Sequence, residues 1–291
     1  MVDEAPTIDA EADGRATAER FRREHRLGVQ PLGDLVAVIE QATGIDVAVL
    51  DAGPDEHGMT MRDPDRNVVF IAVARTRKPM RQRSTLAHEL AHVLFGDWVA
   101  ATAGNWSDQT LAETRCRAFS RHLLAPLEGV QQFLEPHETT TLATLSAVVQ
   151  HFLVSPAIAS IALEQAGYIV ADIRQDWEGT YTPQLAARFG WSDQYRSLQV
   201  ASDQRRAPQR LLARAIAGYV EGVVSAQHIA TLRGLPLNQV EAELREANVV
   251  PADLHSAWTA ASDLPDVNVD LSDLENGTQD GGPDAVTSWP R

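Results

Sequence analysis

The sequence predicts an α+β fold: a mainly helical domain with a small antiparallel β-sheet, followed by a helical, helix-turn-helix-like C-terminal region. Three observations point there. Apolar residues recur at helical spacing through most of the chain, as in Leu86, Leu90, Val93 and Leu94. Only residues 45–73 instead alternate like strands, around a turn cluster of Asp63, Pro64, Asp65 and Arg66. With 291 residues, 44% of them apolar and 22% charged, the chain can bury one sizeable core and a smaller helical one.

Each element follows from local signals. Residues 1–13 carry Asp3, Glu4, Asp9, Glu11 and Asp13 and read as a disordered acidic leader. The first domain, residues 14–130, opens with a charged helix over 16–26. Pro31 is placed in the first turn of a second helix, whose Leu32, Leu35, Val36, Val38 and Ile39 form an apolar stripe ending before Gly44. Residues 45–50 then alternate as a strand, and 58–61 and 68–73 form the arms of a hairpin. Ser84 or Thr85 is suited to cap the next helix, which Gly96 stops. A further helix is expected over 108–124, with Leu111, Phe119 and Leu123 facing inward and Pro126 ending it.

Beyond Pro126 the helical pattern continues. Residues 131–173 contain a helix-turn-helix-like pair, 142–150 and 156–165, with Ser155 as cap. Residues 174–208, rich in Trp, Asp and Arg, read as an irregular linker or docking segment. A C-terminal helical domain, 209–262, holds a second pair, 226–233 and 238–247, hinged at Gly234. In residues 263–291 seven acidic residues face only Arg291, which marks a disordered acidic tail.

Composition excludes several classes. No stretch approaches the ~20 apolar residues of a membrane helix, and the N-terminus lacks an apolar signal region, so a cytoplasmic protein is expected. Cys116, the single cysteine, forms no internal disulfide and reads as a buried helix residue rather than a nucleophile. A net charge of −15 opposes binding to a phosphate backbone. Basic residues cluster only at Arg75, Arg77, Lys78, Arg81 and Arg83, either a solvated loop or a rim that attracts an acidic substrate.

The chemistry is concentrated at His88-Glu89-Leu90-Ala91-His92, the H-E-x-x-H pattern. Residues four apart on an α-helix project about 40° from one another, so one ion can meet both imidazoles. Glu89 points about 60° to the other side of His92, where a carboxylate can act as general base without entering the ligand set. Two imidazoles leave a zinc ion one protein ligand short. Glu113, 21 residues after His92 in the first turns of the next helix, ranks first for that role; Asp97, Asp108, His122 and His137 are rivals. His122 and Tyr168 are candidates to stabilise an oxyanion.

Two stretches, Arg81 to His92 (R-Q-R-S-T-L-A-H-E-L-A-H) and Glu113 to Pro126 (E-T-R-C-R-A-F-S-R-H-L-L-A-P), resemble paired motifs of the ImmA/IrrE metallopeptidases of bacteria and their mobile elements. The resemblance covers roughly residues 16–170. It implies one zinc held by His88, His92 and Glu113, Glu89 as base, and a helix-turn-helix transcriptional repressor as substrate, cleaved to derepress stress or mobile-element genes. The departures are Ser84, Ala91, Cys116, Arg117 and Ala125, and Arg115 stands where the family has a second acid. They bear on packing and substrate more than on ligation. An extended substrate is expected to pair with a free strand edge, for which 68–73 is the candidate.

Two other readings stand beside this one. As a DNA-binding regulator the chain fits poorly, because helix 156–165 has no Arg or Lys and the second pair sets Glu241, Glu243 and Glu246 against Arg245. The alternative is a catalytically idle metal-binding scaffold that binds a repressor or DNA, and Glu89 argues against idleness.

Overall fold

The computed structural model describes residues 9–53, 57–97, 110–134 and 140–252, which fall within one compact unit. Two helices, α1 (Ala10–Glu24) and α2 (Leu35–Thr43), lead into a sheet of β1 (Asp46–Leu50), β2 (Gly58–Asp63) and β3 (Val68–Ala74). Then come α3 (Pro79–Phe95), α4 (Leu111–Leu124), α5 (Leu127–Phe133), α6 (Leu142–Phe152) and α7 (Pro156–Gln165). The chain continues through α8 (Ala171–Asp176), α9 (Thr182–Arg188), α10 (Ser192–Ser202), α11 (Gln209–Val220), α12 (Ala226–Arg233) and α13 (Leu237–Glu246).

The mainly helical α+β class holds, but the small sheet is mixed and not purely antiparallel. Its order is β1-β3-β2: β1 runs parallel to β3 with Asp46 opposite Phe70, and β2 runs antiparallel to β3 with Gly58 opposite Val73. β3, the expected free edge, is therefore the central strand. The outer side of β1 is partly taken by Arg206, whose backbone exchanges two 2.9 Å hydrogen bonds with Val49. Among the described residues, β2 is the open edge.

Val47, Val49, Ile71 and Val73 are buried in one core with Leu86, Ala87, Leu90 and Ala91 of α3, which packs on β3. α3 starts at Pro79, with Lys78 at the cap position nearly two helical turns before the expected Ser84 or Thr85 cap, because proline's fixed φ suits a first turn that lacks a side-chain cap. Its motif residues Gln82 and Arg83 are structural ties. Gln82 Nε2 donates to the carbonyls of Ala74 and Ser202 at 2.8 Å each, and the Arg83 guanidinium donates to the carbonyls of Leu32, Gly33 and Leu153. Arg83 thus leaves the basic rim.

α4 packs on α3 from one side and α1 from the other. α1 begins at Ala10, capped by the Asp9 carboxylate, so residues 10–13 belong to a helix and not to an unfolded leader. The close approach requires Gly14, where a Cβ would lie 2.3 Å from the Arg115 carbonyl oxygen and 2.6 Å from Ala118 Cβ. Arg22, buried in the same interface, donates to the carbonyls of Leu123, Gly28 and Gln30. Pro31 lies outside α2, which Asp34 caps. Phe119 and Leu123 face inward as expected, whereas Leu111 is 72% exposed because it opens the first turn of α4.

Residues 174–208 are not irregular. They form the end of α8, α9 and α10, and Leu185, Ala186, Trp191 and Tyr195 join the same core as Phe119 and Phe152. Trp191 Nε1 donates to Ser146 Oγ at 2.9 Å, which fixes α10 to α6. The pair α6 and α7 bends by 108°; together they are apolar enough to pass as a broken span, yet both lie in the core, and no single described helix is long and apolar enough to cross a membrane. A second small core joins Ala226, Ile229 and Ala230 to Val240 and Leu244. The expected acidic tail and most of the leader lie outside the described residues.

Candidate metal centre

α3 supplies His88 and His92 from adjacent turns of one face, as the i, i+4 spacing requires. Glu113 is the third residue of α4, where the Thr110 side chain accepts a 3.1 Å bond from its backbone N–H. The packing of α4 on α3 brings this carboxylate to the two imidazoles. His88 Nε2 lies 3.1 Å from His92 Nε2, His88 Nε2 lies 3.2 Å from Glu113 Oε2, and His92 Nε2 lies 3.4 Å from Glu113 Oε1.

These three distances can be compared with a metal site. A tetrahedral zinc with arms of about 2.0 to 2.1 Å separates its ligand atoms by about 3.3 to 3.4 Å. The observed 3.1, 3.2 and 3.4 Å, the last two ending on the two different oxygens of the Glu113 carboxylate, lie close to that spacing. His88, His92 and Glu113 therefore fit one metal ion. The Glu113 carboxyl is held below the usual carboxylate range, chiefly by its hydrogen bond from His88, so it is charged and ready to ligate.

Glu89 is not part of this group. Its carboxylate turns toward β2, where Thr60 Oγ1 donates to Oε2 at 2.8 Å. Burial pushes its pKa up; the Thr60 bond and the nearby imidazoles oppose that rise without cancelling it. The approach of β2 to α3 depends on Gly58, where a Cβ would sit 2.5 Å from Thr85 Cγ2 and 3.0 Å from Glu89 Cγ and Oε1.

The rival residues fall elsewhere. Asp97 stands behind His92, with Oδ2 3.8 Å from Nδ1, and Cys116 Sγ lies 3.6 Å from the same nitrogen. His92, Asp97 and Cys116 form a second cluster that shares His92, but Arg115, 2.5 Å from Asp97, already supplies that carboxylate with a positive charge. Cys116 is fully buried, and burial raises its thiol pKa, so it stays a neutral thiol as its sequence context suggested. His122 is turned to Glu11 of α1, 3.3 Å away, and the Tyr168 hydroxyl donates to the Leu134 carbonyl at 3.3 Å. Both oxyanion candidates are thus occupied in packing. Asp108 and His137 lie outside the described residues. Sequence reasoning missed Thr60 and Gly58, which sit in a strand with no local signal tying them to a helix about 30 residues on, and it named Asp97 only as a rival ligand.

An imidazole pair and a carboxylate fit for one ion, with a separate buried glutamate beside them on the same helix, define a metallopeptidase-like domain. Residues 40–164 match the family model of the IrrE N-terminal-like domain, a peptidase family. The matched region runs from the end of α2 to the end of α7 and holds all four site residues, narrower than the 16–170 suggested by the motifs and without α1. No curated protein matches the chain.

Proposed function

We propose that the chain is a zinc endopeptidase in which His88, His92 and Glu113 hold the ion and Glu89 is the general base. The observation that carries this reading is the convergence of two imidazole nitrogens and the Glu113 carboxylate, at 3.1, 3.2 and 3.4 Å from one another, with Glu89 outside the group. Zinc, when bound, supplies a Lewis acid for the peptide carbonyl and for water. The remaining steps belong to the chain. A substrate adds as a strand to the open edge of β2, where Met59 and Met61 are 43% and 48% exposed. The Glu89 carboxylate, oriented by Thr60, takes a proton from the attacking water and returns it to the departing amine. Its raised pKa suits a group that must both accept and release a proton near neutrality.

The proposed substrate is a helix-turn-helix transcriptional repressor, whose cleavage switches on stress or mobile-element genes; the family resemblance supports this. The acidic charge supports a protein partner over direct DNA binding, and a cytoplasmic location accords with both. The test uses purified protein and the repressor encoded beside it. Wild type is expected to carry about one zinc per chain and to cut the repressor, with products identified by mass spectrometry. Glu89→Gln should keep zinc and lose cleavage, and Glu113→Ala should lose zinc. An active Glu89→Gln refutes the base, and full zinc in Glu113→Ala refutes the third ligand.

A further inference from the structure

At the N-terminal end of α3 lies a cavity of about 220 Å³ whose charged lining, among the described residues, is basic. Arg75 enters from the end of β3, Lys78, Arg81, Gln82 and Thr85 from α3, and His57 from the start of β2. Among the described residues no carboxylate lines it. Arg75 is ion-paired to Asp51, and Gln82 is committed to two carbonyls, so neither is fully available. Lys78 and Arg81 are exposed and meet no carboxylate among the described residues. The Arg81 Nη2 donates to His57 Nε2 at 2.8 Å, which aims the guanidinium across the cavity mouth and keeps the imidazole an acceptor. The first turn of α3 has no side-chain cap, and its dipole adds positive potential. In a chain of net charge −15, this is a local inversion of sign.

Its position relates it to the metal centre. Thr85 lines the cavity and packs on Gly58, and Gly58 also borders Glu89, one helical turn on. A peptide added antiparallel to β2 runs from the Asp63 end toward Gly58, passes Thr60 opposite Glu89, and reaches the cavity within about three residues, or ~10 Å. We propose that the cavity is a subsite for the carboxylate of an Asp or Glu side chain on the C-terminal side of the cleaved bond, bound by Lys78 and Arg81. Cleavage next to this subsite rests on the peptidase reading; the binding of an acidic side chain does not.

The test uses the full chain with zinc and a peptide library from a digested proteome. Asp and Glu should be enriched about tenfold over Asn and Gln within three residues after the cleaved bond, the effect of one charge-assisted hydrogen bond. The Lys78→Glu/Arg81→Glu variant should lose that preference, and Lys78→Gln/Arg81→Gln should weaken it. Cleavage without acidic enrichment, or enrichment that survives both variants, overturns the subsite and leaves the peptidase reading standing. A second measurement needs no hydrolysis: fluorescence anisotropy of a labelled decapeptide with four Glu against its Gln twin. The Glu peptide should bind about tenfold more tightly at low salt, and the advantage should vanish in the charge-reversed variant and shrink as salt rises. A protein that cuts nothing yet keeps this difference would sink the peptidase reading alone. Inorganic phosphate that binds the cavity while the two peptides bind equally would make it a phosphate site and overturn the proposal.

Discussion

Gly58 offers the sharpest test of how the sheet holds the site. In Gly58→Ala the new methyl would start 2.5 Å from Thr85 Cγ2 and 3.0 Å from Glu89 Cγ. Carbon atoms pack at about 3.5 to 4.0 Å, so β2 and α3 must separate by about 1 Å. Thr85 is fully buried on a core helix and β-branched, so it has little room to turn away. The strand should lift instead, stretching the 2.8 Å bond from Thr60 to Glu89 beyond hydrogen-bonding distance. Overpacking of this kind costs about 1 to 3 kcal/mol, which lowers the melting temperature by about 2 to 10 °C in a domain of this size. A misplacement of ~1 Å at the base lowers the cleavage rate by about a hundredfold. Zinc content should be unchanged, because His88, His92 and Glu113 sit on α3 and α4, whose mutual packing does not involve Gly58. Calorimetry, zinc analysis and peptide cleavage are compared with wild type. A variant with unaltered melting temperature and rate would show that β2 does not press on the catalytic helix, and the argument for Thr60 would fall with it.

Thr60→Val removes the hydroxyl that favours the charged form of Glu89, whose pKa burial already raises. The base works deprotonated, so activity falls as pH drops through that pKa; the acid limb of the rate profile should therefore move to higher pH in the variant, and an unmoved limb would refute the assignment. Asp97→Asn weakens the carboxylate behind His92 Nδ1 and should lower zinc affinity by about 10- to 100-fold, measured by competition with a chromophoric chelator; unchanged affinity would make the Asp97, Cys116 and Arg115 cluster purely structural. The protein should not bind duplex DNA specifically at physiological salt, since α7 carries no Arg or Lys and α13 carries three glutamates; a nanomolar sequence-specific gel shift would contradict this.

The sequence by itself determined whatever depends on the geometry of one helix. His88, Glu89 and His92 are related by a 3.6-residue period that no tertiary contact can alter, and the Gly96 stop and the Ser155 cap are equally local. Glu113 was reachable because it opens the next helix, which folds back beside α3. The short helices α9 and α10 escaped because Gly179 and Gly190 punctuate them and their starts, at Tyr181 and Trp191, carry no standard cap residue; it is burial of Leu185, Trp191 and Tyr195 that holds them. Strand order was decided only in three dimensions. The alternation in 45–50 and 68–73 is the same whether β3 lies at the edge or the centre, and only the pairing of β1 and β2 on either side of β3, with Arg206 against β1, leaves β2 as the open edge. The partners of the metal centre follow the same rule: Thr60 meets Glu89 across 29 residues, and Cys116 meets His92 across 24. Contacts between segments that distant leave no periodic trace in the chain, because they are set by how helices and sheet pack and not by the geometry of any one of them.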